Sequence, residues 1–372
     1  MADDRSERAA KRILSGESWA DFCETLKKAG EVVLGEKTPR DPFDRAEGFR
    51  YLARLTRAGL ESFLEYGDPL APEFRCTAHE TVKMGADNPD NRYLSATISG
   101  KHEYRITGSR GTVHYLGFGT QAGGYGATGS LETTGYLEAK DMEIGPDGRF
   151  EIAVSCEPRE GNWLPMRPDS RMVVVRQSFL DRDAELPAEV QIRRVDGPHR
   201  PQPLTPERVD RGLLQAARFV IGCASLFESW AESYMPHVNE LPETDERITT
   251  AAGGDPNIVY YHSYWKLEPD EALVIEVTPP RCDYWNFQLN NHWMESLDYR
   301  YHRIHVNNHT AVYKPDGSVQ VVVAHEDPGI PDANWIETCG HRQGTMCWRW
   351  VRTEEKRTPR TRVVKLSELR RS

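Results

Sequence analysis

The feature that most constrains this chain is an internal repeat of short motifs at a nearly constant spacing. The matched motifs keep their order and lie 169 to 173 residues apart. They are Pro146-Asp147-Gly148 with Pro315-Asp316-Gly317, Asn162-Trp163 with Asn334-Trp335, Arg176 with Arg349, and Thr107 and Arg110 with Thr278 and Arg281. Matches in register over such a distance indicate two copies of one structural unit.

The pattern of apolar residues divides the chain into four segments. Over residues 1–75 they recur at helical spacing, whereas over 76–185 short alternating runs are separated by Gly, Asn, Asp and Pro. The pattern predicts a helical block over 186–240 and a second β unit over 241–372. We therefore predict a mainly β protein: two repeated antiparallel β-sandwich, jelly-roll-like units with N-terminal and central helices.

Residue types that favour a helix N-terminus mark the start of the central helix. Thr205 is a good capping residue, Pro206 suits the first helical position, and Glu207 meets the positive end of the helix dipole. We expect the helix to begin here and to end at Pro236.

Composition excludes several classes of partner. The 372 residues carry a net charge of −10 with acids and bases interleaved, which argues against nucleic-acid binding. The N-terminus lacks the apolar core of a signal peptide, and no run approaches the ~18 apolar residues of a membrane span. Seven cysteines without a CxxC spacing favour unpaired thiols in a reducing compartment. We predict a cytoplasmic protein with neither a nucleic-acid nor a membrane partner.

The stretch Tyr284–Trp293 has the most unusual strand pattern. Alternation places Asn286, Gln288 and Asn290 on one face and Trp285, Phe287 and Leu289 on the other. Three amides in a row can donate and accept hydrogen bonds, either to a ligand or at an exposed edge or a turn.

Other residues join these as candidates for contact with a small-molecule substrate. Asn286, Asn290 and Arg300 would position a polar group, while Trp285 and Trp293 would stack on a ring or hydrocarbon. Arg349 lies mid-strand, so it must snorkel, pair with an acid or hold an anionic ligand. The full set of substrate-binding candidates is Trp285, Asn286, Asn290, Trp293, Arg300, Trp335 and Arg349, with His114 and Tyr115 in the corresponding part of the first copy.

Six of the twelve histidines fall between 292 and 341. His302 and His305 differ by three positions, and neither an HxH nor an HExxH pattern occurs, so the spacing gives no support for a metal site. Imidazole titrates near neutral pH, which makes His305, His325 and His341 candidates for general acid–base catalysis.

A glycine-rich stretch, 117–129, superficially resembles a phosphate-binding loop. It lacks the Gly-Lys-Ser/Thr ending, and no helical pattern follows it, so nucleotide binding is not indicated. The composition favours a mobile lid or a long hairpin loop.

The C-terminal part of the chain resembles a known family. The run from Asp327-Pro-Gly through Asn334-Trp335 and Gly340-His341 to Arg349-Trp350, with Tyr284-Trp285 upstream, is similar to the signature of domain-of-unknown-function family 1214 (DUF1214). Asp87–Asn91 and Tyr104–Gly108 resemble the leading half of the same bacterial proteins. The resemblance implies a β-sandwich or jelly-roll-like architecture, often in oligomers, and carries over no catalytic residue.

Two classes of function remain open from the sequence. The first is a cofactor-independent enzyme that uses histidine acid–base chemistry on a hydrophobic or hydroxylated metabolite, with no metal. The second is a non-catalytic module that binds a carbohydrate or another metabolite, or acts as a scaffold. A homo-oligomer is compatible with both.

Overall fold

The computed structural model describes residues 2–126, 129–251, 254, 255 and 257–370. It is mostly β, with 26% of residues in helices and 32% in strands. The helices are α1 (Ala2–Ser15), α2 (Glu17–Val33), α3 (Pro42–Leu60), α4 (Pro206–Tyr234), α5 (Glu246–Ala251) and α6 (Leu366–Leu369). A π-helical turn, Glu61–Glu65, follows α3, and short 3-10 turns occupy Ala139–Asp141 and Met235–His237.

Nine strands precede α4 and eight follow it. The first nine are β1 (Arg75–Ala78), β2 (Asn91–Thr97), β3 (Tyr104–Ser109), β4 (Tyr115–Gly124), β5 (Ser130–Glu138), β6 (Arg149–Ser155), β7 (Trp163–Pro165), β8 (Ser170–Ser178) and β9 (Glu189–Arg194). The others are β10 (Ile258–Lys266), β11 (Glu271–Val277), β12 (Tyr284–Leu289), β13 (His305–Asn307), β14 (Val319–Ala324), β15 (Asn334–Glu337), β16 (Gln343–Val351) and β17 (Arg360–Lys365).

The sheet topology confirms the internal repeat. The earlier strands form sheets in the orders β1-β2-β8-β4-β5 and β7-β6-β3-β9, and the later strands form β10-β16-β12-β13 and β15-β14-β11-β17. Apart from the extra edge strand β1, the two sets correspond strand for strand. The mainly β fold with two similar pairs of sheets is therefore confirmed.

The chain forms two compact units, each made of three segments. The first unit comprises Met1–Val33, Leu52–Val82 and Asp90–Leu226, and the second comprises Leu34–Tyr51, Lys83–Pro89 and Phe227–Ser372. The second unit thus contains two short segments from the N-terminal part of the chain, Leu34–Tyr51 and Lys83–Pro89, in addition to its own β sheets.

In each unit the two sheets bury apolar faces in one shared core. In the first unit Phe118 and Val175 of one sheet share a cluster with Ile152 of the other. In the second unit Phe287 and Trp348 share a cluster with strands of the other sheet, including β11 and β14. This is the arrangement of a β-sandwich, in which inward-facing side chains of both sheets fill the interior.

The repeated Asn-Trp motif has the same structural role in both units. The Asn334 amide donates to Val312 O and Gln320 O at 2.9 and 3.1 Å and accepts from Val312 N at 2.8 Å. Asn162 bonds the equivalent backbone atoms of Glu143 and Glu151 at 2.7–2.9 Å. The motif therefore fixes a loop against a strand.

Three features of the fold differ from the expectations. Each unit contains one parallel pair, β6 with β7 and β14 with β15, within otherwise antiparallel sheets. Residues 186–240, expected to be helical, begin with β9, whose Val190 and Ile192 point inward as it pairs with β3. Residues 117–124 of the glycine-rich stretch lie in strand β4 rather than in a mobile lid or a hairpin loop, because pairing with β8 and β5 on both sides holds them extended. Residues 127 and 128 of the stretch lie outside the described residues.

The predicted start of the central helix is confirmed. Helix α4 begins at Pro206, and Thr205 Oγ1 accepts a hydrogen bond from Arg208 N at 3.2 Å. Across the described residues, none of the helices combines the length and apolar character that crossing a membrane requires.

Candidate functional site

The sheet β10-β16-β12-β13 in the second unit has one apolar and one polar face. Trp285, Phe287 and Leu289 of β12 lie in the core, as the alternation predicted. The opposite face carries hydrogen-bonding and titratable side chains, namely His262 and Tyr264 on β10, Tyr284, Asn286 and Gln288 on β12, and Thr345, Cys347 and Arg349 on β16. We call this the polar face.

The three predicted amides lie in the middle of the polar face and are fully buried. Arg349 Nη1 donates to Gln288 Oε1 at 2.6 Å and to Asn286 Oδ1 at 3.3 Å. Gln288 Nε2 in turn donates to Asn290 Oδ1 at 2.6 Å, and Asn290 Nδ2 donates to Thr345 Oγ1 at 3.2 Å. The alternative of an exposed edge is therefore wrong, and the amides form a buried network with Arg349.

The segment Lys83–Pro89 covers this network. Asn286 Nδ2 donates to Asn88 Oδ1 and Gln288 Nε2 donates to Asp87 O, both at 2.9 Å. The Asp87 carboxylate accepts from the backbone N–H and the hydroxyl of Ser296 at 3.0 and 2.8 Å. Because the amides already have partners in the chain, their contacts are those of a structural network.

A stacked histidine lies beside Arg349. The His262 ring is nearly parallel to those of Tyr234 and Tyr260, at centroid distances of 5.6 and 5.5 Å. Its Nε2 is 3.8 Å from Cys347 Sγ. Burial, followed by the charge of Arg349, lowers the pKa of His262 to about 3, and burial raises that of Cys347 to about 11. Both groups are therefore neutral at pH 7.

The first turn of α3 brings two carboxyl groups to the end of the polar face. Asp41 caps the helix, since its Oδ1 accepts from the backbone N–H groups of Phe43 and Asp44 at 3.0 Å each. The Asp44 carboxyl accepts from Gln343 Nε2 at 2.9 Å, and its backbone carbonyl accepts from Trp293 Nε1 at 2.9 Å. Two side chains of the β unit therefore fix the position of Asp44.

The two carboxyl groups have pKa values shifted in opposite directions. Burial, followed by the hydrogen bond with Asp41, raises the pKa of Asp44 to about 7. Burial acts in the same direction on Asp41, but hydrogen bonds from Asp44 and the Phe43 N–H outweigh it and lower the pKa. Oppositely shifted pKa values distinguish a proton donor from a permanently ionised partner.

His341, one of the predicted catalytic histidines, packs against the same helical turn. It is 5% exposed, and its ring meets the Phe43 ring edge-on at 4.7 Å. Its Nδ1 is 3.1 Å from Thr338 O, whereas its buried Nε2 has no hydrogen-bond partner among the described residues. A carbonyl can only accept, so the proton lies on Nδ1 and Nε2 is a proton acceptor. Burial lowers the pKa of His341, which keeps the ring neutral.

Tyr264 and His292 complete the end of the polar face. The Tyr264 hydroxyl is 3.0 Å from His292 Nδ1, and His292 is fully buried with Trp293 edge-on to its ring at 4.8 Å. Burial, with the charges of Asp44 and Asp41 as smaller contributions, raises the pKa of Tyr264. Burial lowers the pKa of His292 to about 4. Both side chains are therefore neutral. We call Asp41, Asp44, Tyr264, His292 and His341 the carboxyl–histidine cluster.

The other two catalytic candidates lie outside this cluster. His325 Nδ1 is 2.8 Å from Thr338 Oγ1 and its Nε2 is 3.4 Å from Leu267 O, so both nitrogens have partners. His305 begins β13 and pairs with Gln288 of β12. Thr338 thus contacts both His325 and His341, and only His341 lies against α3.

Several substrate-binding candidates occupy structural positions. Trp285 is in the core, stacked on Trp348 at a centroid distance of 5.0 Å. Trp335 Nε1 donates to Ala324 O at 3.1 Å. Arg300 binds both oxygens of Asp298 at 2.9 and 2.7 Å. Trp293, by contrast, contacts the carboxyl–histidine cluster: its Nε1 donates to Asp44 O, and its ring packs edge-on against His292.

The first unit keeps few of the hydrogen-bonding and titratable side chains of the polar face. By strand register, Gly117, Gly119, Ser95 and Thr97 stand where the second unit has Asn286, Gln288, His262 and Tyr264. The arginine–tyrosine contact is kept, with Arg176 5.9 Å from the Tyr93 ring and Arg349 5.8 Å from the Tyr260 ring. The predicted residues His114 and Tyr115 lie at the start of β4, where Tyr115 contacts the Tyr136 hydroxyl.

The comparisons with known proteins agree with this architecture. The family model described as "Protein of unknown function (DUF1214)" matches residues 266–355. The chain is also 55% identical to an uncharacterised protein from Burkholderia cenocepacia of known crystal structure, over 96% of this chain and 99% of that one, with a TM-score of 0.94. The chain belongs to the DUF1214 family.

A second solved structure shares the fold of this DUF1214 protein. It is the VPA0106 protein from Vibrio parahaemolyticus, with a TM-score of 0.50 and 14% identity over 85% of this chain and 98% of that one. At this identity the likeness concerns the fold alone. No curated protein matches the chain.

The DUF1214 match and the cluster overlap only in part. Residues 266–355 include His292, His341 and Gln343, whereas Asp41, Asp44 and Tyr264 lie outside. Sequence reasoning missed these three and did not select His292, although Asp41 followed by Pro42 is a helix-start signal that could have placed the carboxyl groups on one turn. Across the described residues no group of three or more His, Cys, Asp or Glu side chains could hold a metal ion.

Proposed function

We propose that this protein is a cofactor-independent enzyme that transfers protons on a small hydrophobic or hydroxylated metabolite at the carboxyl–histidine cluster. His341 would be the base and Asp44 the acid. The observation that carries the proposal is the His341 ring, whose buried Nε2 has no partner among the described residues while Nδ1 faces a carbonyl.

The geometry supports separate roles for the two groups. His341 is neutral and presents an acceptor nitrogen, so it can take a proton from a bound substrate. Asp44, with a pKa near 7, can hold a proton at neutral pH and release it to the substrate. Asp41 remains ionised beside it and favours the protonated form of Asp44. An acid and a base on one helical turn and the facing loop suit acid–base catalysis.

The surroundings of the cluster support the proposed class of ligand. Phe43, 45% exposed, is an apolar surface next to His341 and could contact a hydrocarbon part of the substrate. Asp41 is also exposed and lies at the same turn. Hydroxyl groups of a substrate could bond to the carboxyl groups of this turn.

We extend the proposal to location and assembly. A cytoplasmic location is supported by the cysteines, since none of the seven described forms a disulfide bond. A homo-oligomer would place exposed apolar side chains such as Trp19, 60% exposed, and Leu14, 87% exposed, in contact with a second copy.

A ligand screen by thermal shift tests the proposed function. The library would contain sugars, aromatic alcohols, sterols and acyl compounds, because a ligand at 100 times its Kd stabilises the folded protein by ~2.7 kcal/mol. We expect a hit whose shift is lost in His341→Gln and retained in His325→Gln, since both nitrogens of His325 already have partners. Each variant is compared with its own ligand-free melting temperature.

The outcomes separate the candidate functions. A hit that the protein converts, with conversion lost in His341→Gln, supports the enzyme. A hit that is bound and never converted supports the alternative of a carbohydrate- or metabolite-binding module. A hit that shifts His341→Gln as much as the unmodified protein contradicts the assignment of the site.

A further inference from the structure

All three buried histidines of the chain lie in the second unit. His262, His292 and His341 are 8%, 0% and 5% exposed. The histidines of the first unit, at positions 79, 102, 114 and 199, are exposed or half-buried. A buried imidazole that gains a proton needs an acceptor for its second N–H and a partner for its charge. The two units should therefore respond differently to acid.

His292 lacks an acceptor for a second N–H. Its Nδ1 is 3.0 Å from the Tyr264 hydroxyl, and its Nε2 has no hydrogen-bond partner among the described residues. A neutral ring leaves one hydrogen of this pair without an acceptor, either on Nε2 or on the Tyr264 oxygen. An imidazolium must donate from Nδ1 to the Tyr264 oxygen, so it leaves both hydrogens without one. Asp41 and Asp44 of α3 act on Tyr264, whereas burial alone lowers the pKa of His292.

His262 has a positively charged neighbour. Its ring lies nearly parallel to those of Tyr234, at the end of α4, and of Tyr260 on β10. Its Nε2 is 3.8 Å from Cys347 Sγ, and its Nδ1 has no partner among the described residues. Arg349 on the neighbouring strand β16 repels a proton on this ring, which adds to the effect of burial in lowering the pKa.

The covering segment Lys83–Pro89 adds no carboxylate partner for His262. Its one carboxyl group, that of Asp87, interacts electrostatically with Lys83 and Arg349. The same carboxyl group accepts two hydrogen bonds from Ser296, at 2.8 and 3.0 Å. Its charge is therefore compensated by groups other than the imidazole.

His341 differs from the other two buried histidines. Glu47 of α3 favours the protonated ring of His341, and Arg50 of the same helix opposes it. His341 can thus gain a proton next to a carboxylate. Among the described groups, no carboxylate acts in this way on His262 or His292. These two histidines are therefore the acid-sensitive pair.

The first unit has no counterpart of this pair. By strand register, Ser95 stands at the position of His262, and its hydroxyl does not titrate. Arg167 lowers the pKa values of Glu132 and Asp169 below their ordinary ranges, so these carboxylates stay ionised at pH 5. Mild acid should accordingly leave the first unit folded.

We propose that the second unit is an acid-sensitive switch, in which protonation of His262 and His292 opens the sheet β10-β16-β12-β13 while the first unit keeps its fold. The inference does not depend on the proposed function. An exposed histidine has a pKa of 6.5, whereas the folded values are about 3 for His262 and about 4 for His292. Their stabilising contribution is present above pH 6.5 and is lost as the pH falls below it.

The size of the effect follows from the same values. Each pH unit below 6.5 changes the opening equilibrium about 10-fold for each histidine. Asp44 acts in the opposite sense over this range, because its folded form gains a proton near pH 7. One carboxyl group is set against two histidines, so we expect the second unit to lose stability as the pH falls to 5.

Hydrogen–deuterium exchange of the unmodified protein at pH 7, 6 and 5 tests the proposal. Peptides are followed by mass spectrometry, and each rate is divided by the intrinsic exchange rate at that pH. We expect the protection of β10, β12 and β16 to fall as the pH is lowered, while that of β2, β4 and β8 stays nearly constant. Constant protection of β10, β12 and β16, or equal losses in the two sets, would overturn the proposal.

Variants that do not titrate identify the histidines responsible. His262→Phe keeps a ring beside the two tyrosines, and His292→Gln keeps a hydrogen-bonding side chain. Each should make the loss of protection between pH 7 and pH 5 about 25-fold smaller, and the titration of Asp44 cancels in this comparison. His102→Gln is the matched control, because His102 lies on the first unit, 2.9 Å from Asp196. It should leave the loss unchanged.

The variants and the unmodified protein each give a result that can contradict the assignment. A loss of protection in His262→Phe and His292→Gln as large as in the unmodified protein would overturn it. Circular dichroism at pH 7 shows whether each variant is folded. If one is not, NMR titration of the histidine rings in the unmodified protein decides, since a charged ring at either position in the folded state at pH 6 would overturn the proposal.

Discussion

Replacing Asn334 with Ala tests whether the repeated Asn-Trp motif acts as a structural clamp. The side chain of Asn334 is fully buried and makes three hydrogen bonds of 2.8–3.1 Å to the backbone of Val312 and Gln320. Asn162 makes the equivalent three bonds in the first unit, at 2.7–2.9 Å, but is only partly buried. The two positions differ in access to water and in a further 3.3 Å bond that Asn334 Oδ1 accepts from Arg303 Nη2.

The expected loss follows from the number of bonds and from burial. A net contribution of about 1 kcal/mol for each bond predicts that Asn334→Ala lowers the free energy of unfolding by about 3 kcal/mol. For a unit of this size the melting temperature should fall by roughly 6–12 °C. Water can replace the side chain at Asn162, so Asn162→Ala should lose only about 1–1.5 kcal/mol.

Urea titration followed by far-ultraviolet circular dichroism measures both losses. Each unit has its own core, so a variant should shift the transition of the unit that contains it. Asn334→Asp is a useful third variant, because it keeps the acceptor for Val312 N and removes the two donated bonds. A loss below about 1 kcal/mol for Asn334→Ala, or equal losses at Asn334 and Asn162, would refute the reasoning.

Three further predictions concern charge and backbone. Asp44 has a pKa of 3.8 when exposed and about 7 in the fold, so its stabilising contribution is complete below pH 4 and is lost as the pH rises through 7. This loss of stability is ~2 kcal/mol after solvent screening, and Asp44→Asn should remove it. Thermal melting of both proteins at pH 5 and pH 8 would show the difference, and the same pH dependence in the two proteins would contradict the prediction. Thr205→Ala should cost about 1 kcal/mol in urea titration through loss of the α4 cap, whereas Thr205→Ser should not. Gly317 has a φ of 78°, so Gly317→Ala should lower the free energy of unfolding by about 1 kcal/mol. Thermal melting would detect this change, and an unchanged melting temperature would mean that the turn relaxes.

Local patterns predicted a large part of the fold. Alternation in Tyr284–Leu289 separated the core face from the amide face correctly, because the period of a strand fixes which side chains share a face. The spacing of Asn162 and Asn334 identified two units, because each asparagine bonds the same loop and strand positions of its own unit and is therefore found at the same place in both copies. The strand β9 escaped notice because only Val190 and Ile192 alternate in a stretch otherwise rich in charge.

The carboxyl–histidine cluster could be predicted only in part. His341 was a candidate because of its residue type, but Asp44 and Tyr264 are separated from it by 297 and 77 positions in the sequence. No local pattern brings such residues together; the packing of the first turn of α3 within the second unit does. The amides show the converse, because their chemistry suggested a ligand surface, whereas Asn286 and Gln288 bond to the Lys83–Pro89 segment and Asn290 bonds to Thr345.

The tryptophans of the second unit have an optical consequence. The indole rings of Trp285 and Trp348 are nearly parallel, at 12°, and Trp350 lies 5.2 Å from Trp348. Transition dipoles this close couple, so the group should give an exciton couplet in circular dichroism that isolated indoles lack. The first unit contains only Trp19 and Trp163 of the nine tryptophans. The couplet would therefore serve as a built-in spectroscopic marker for the intactness of the second unit alone.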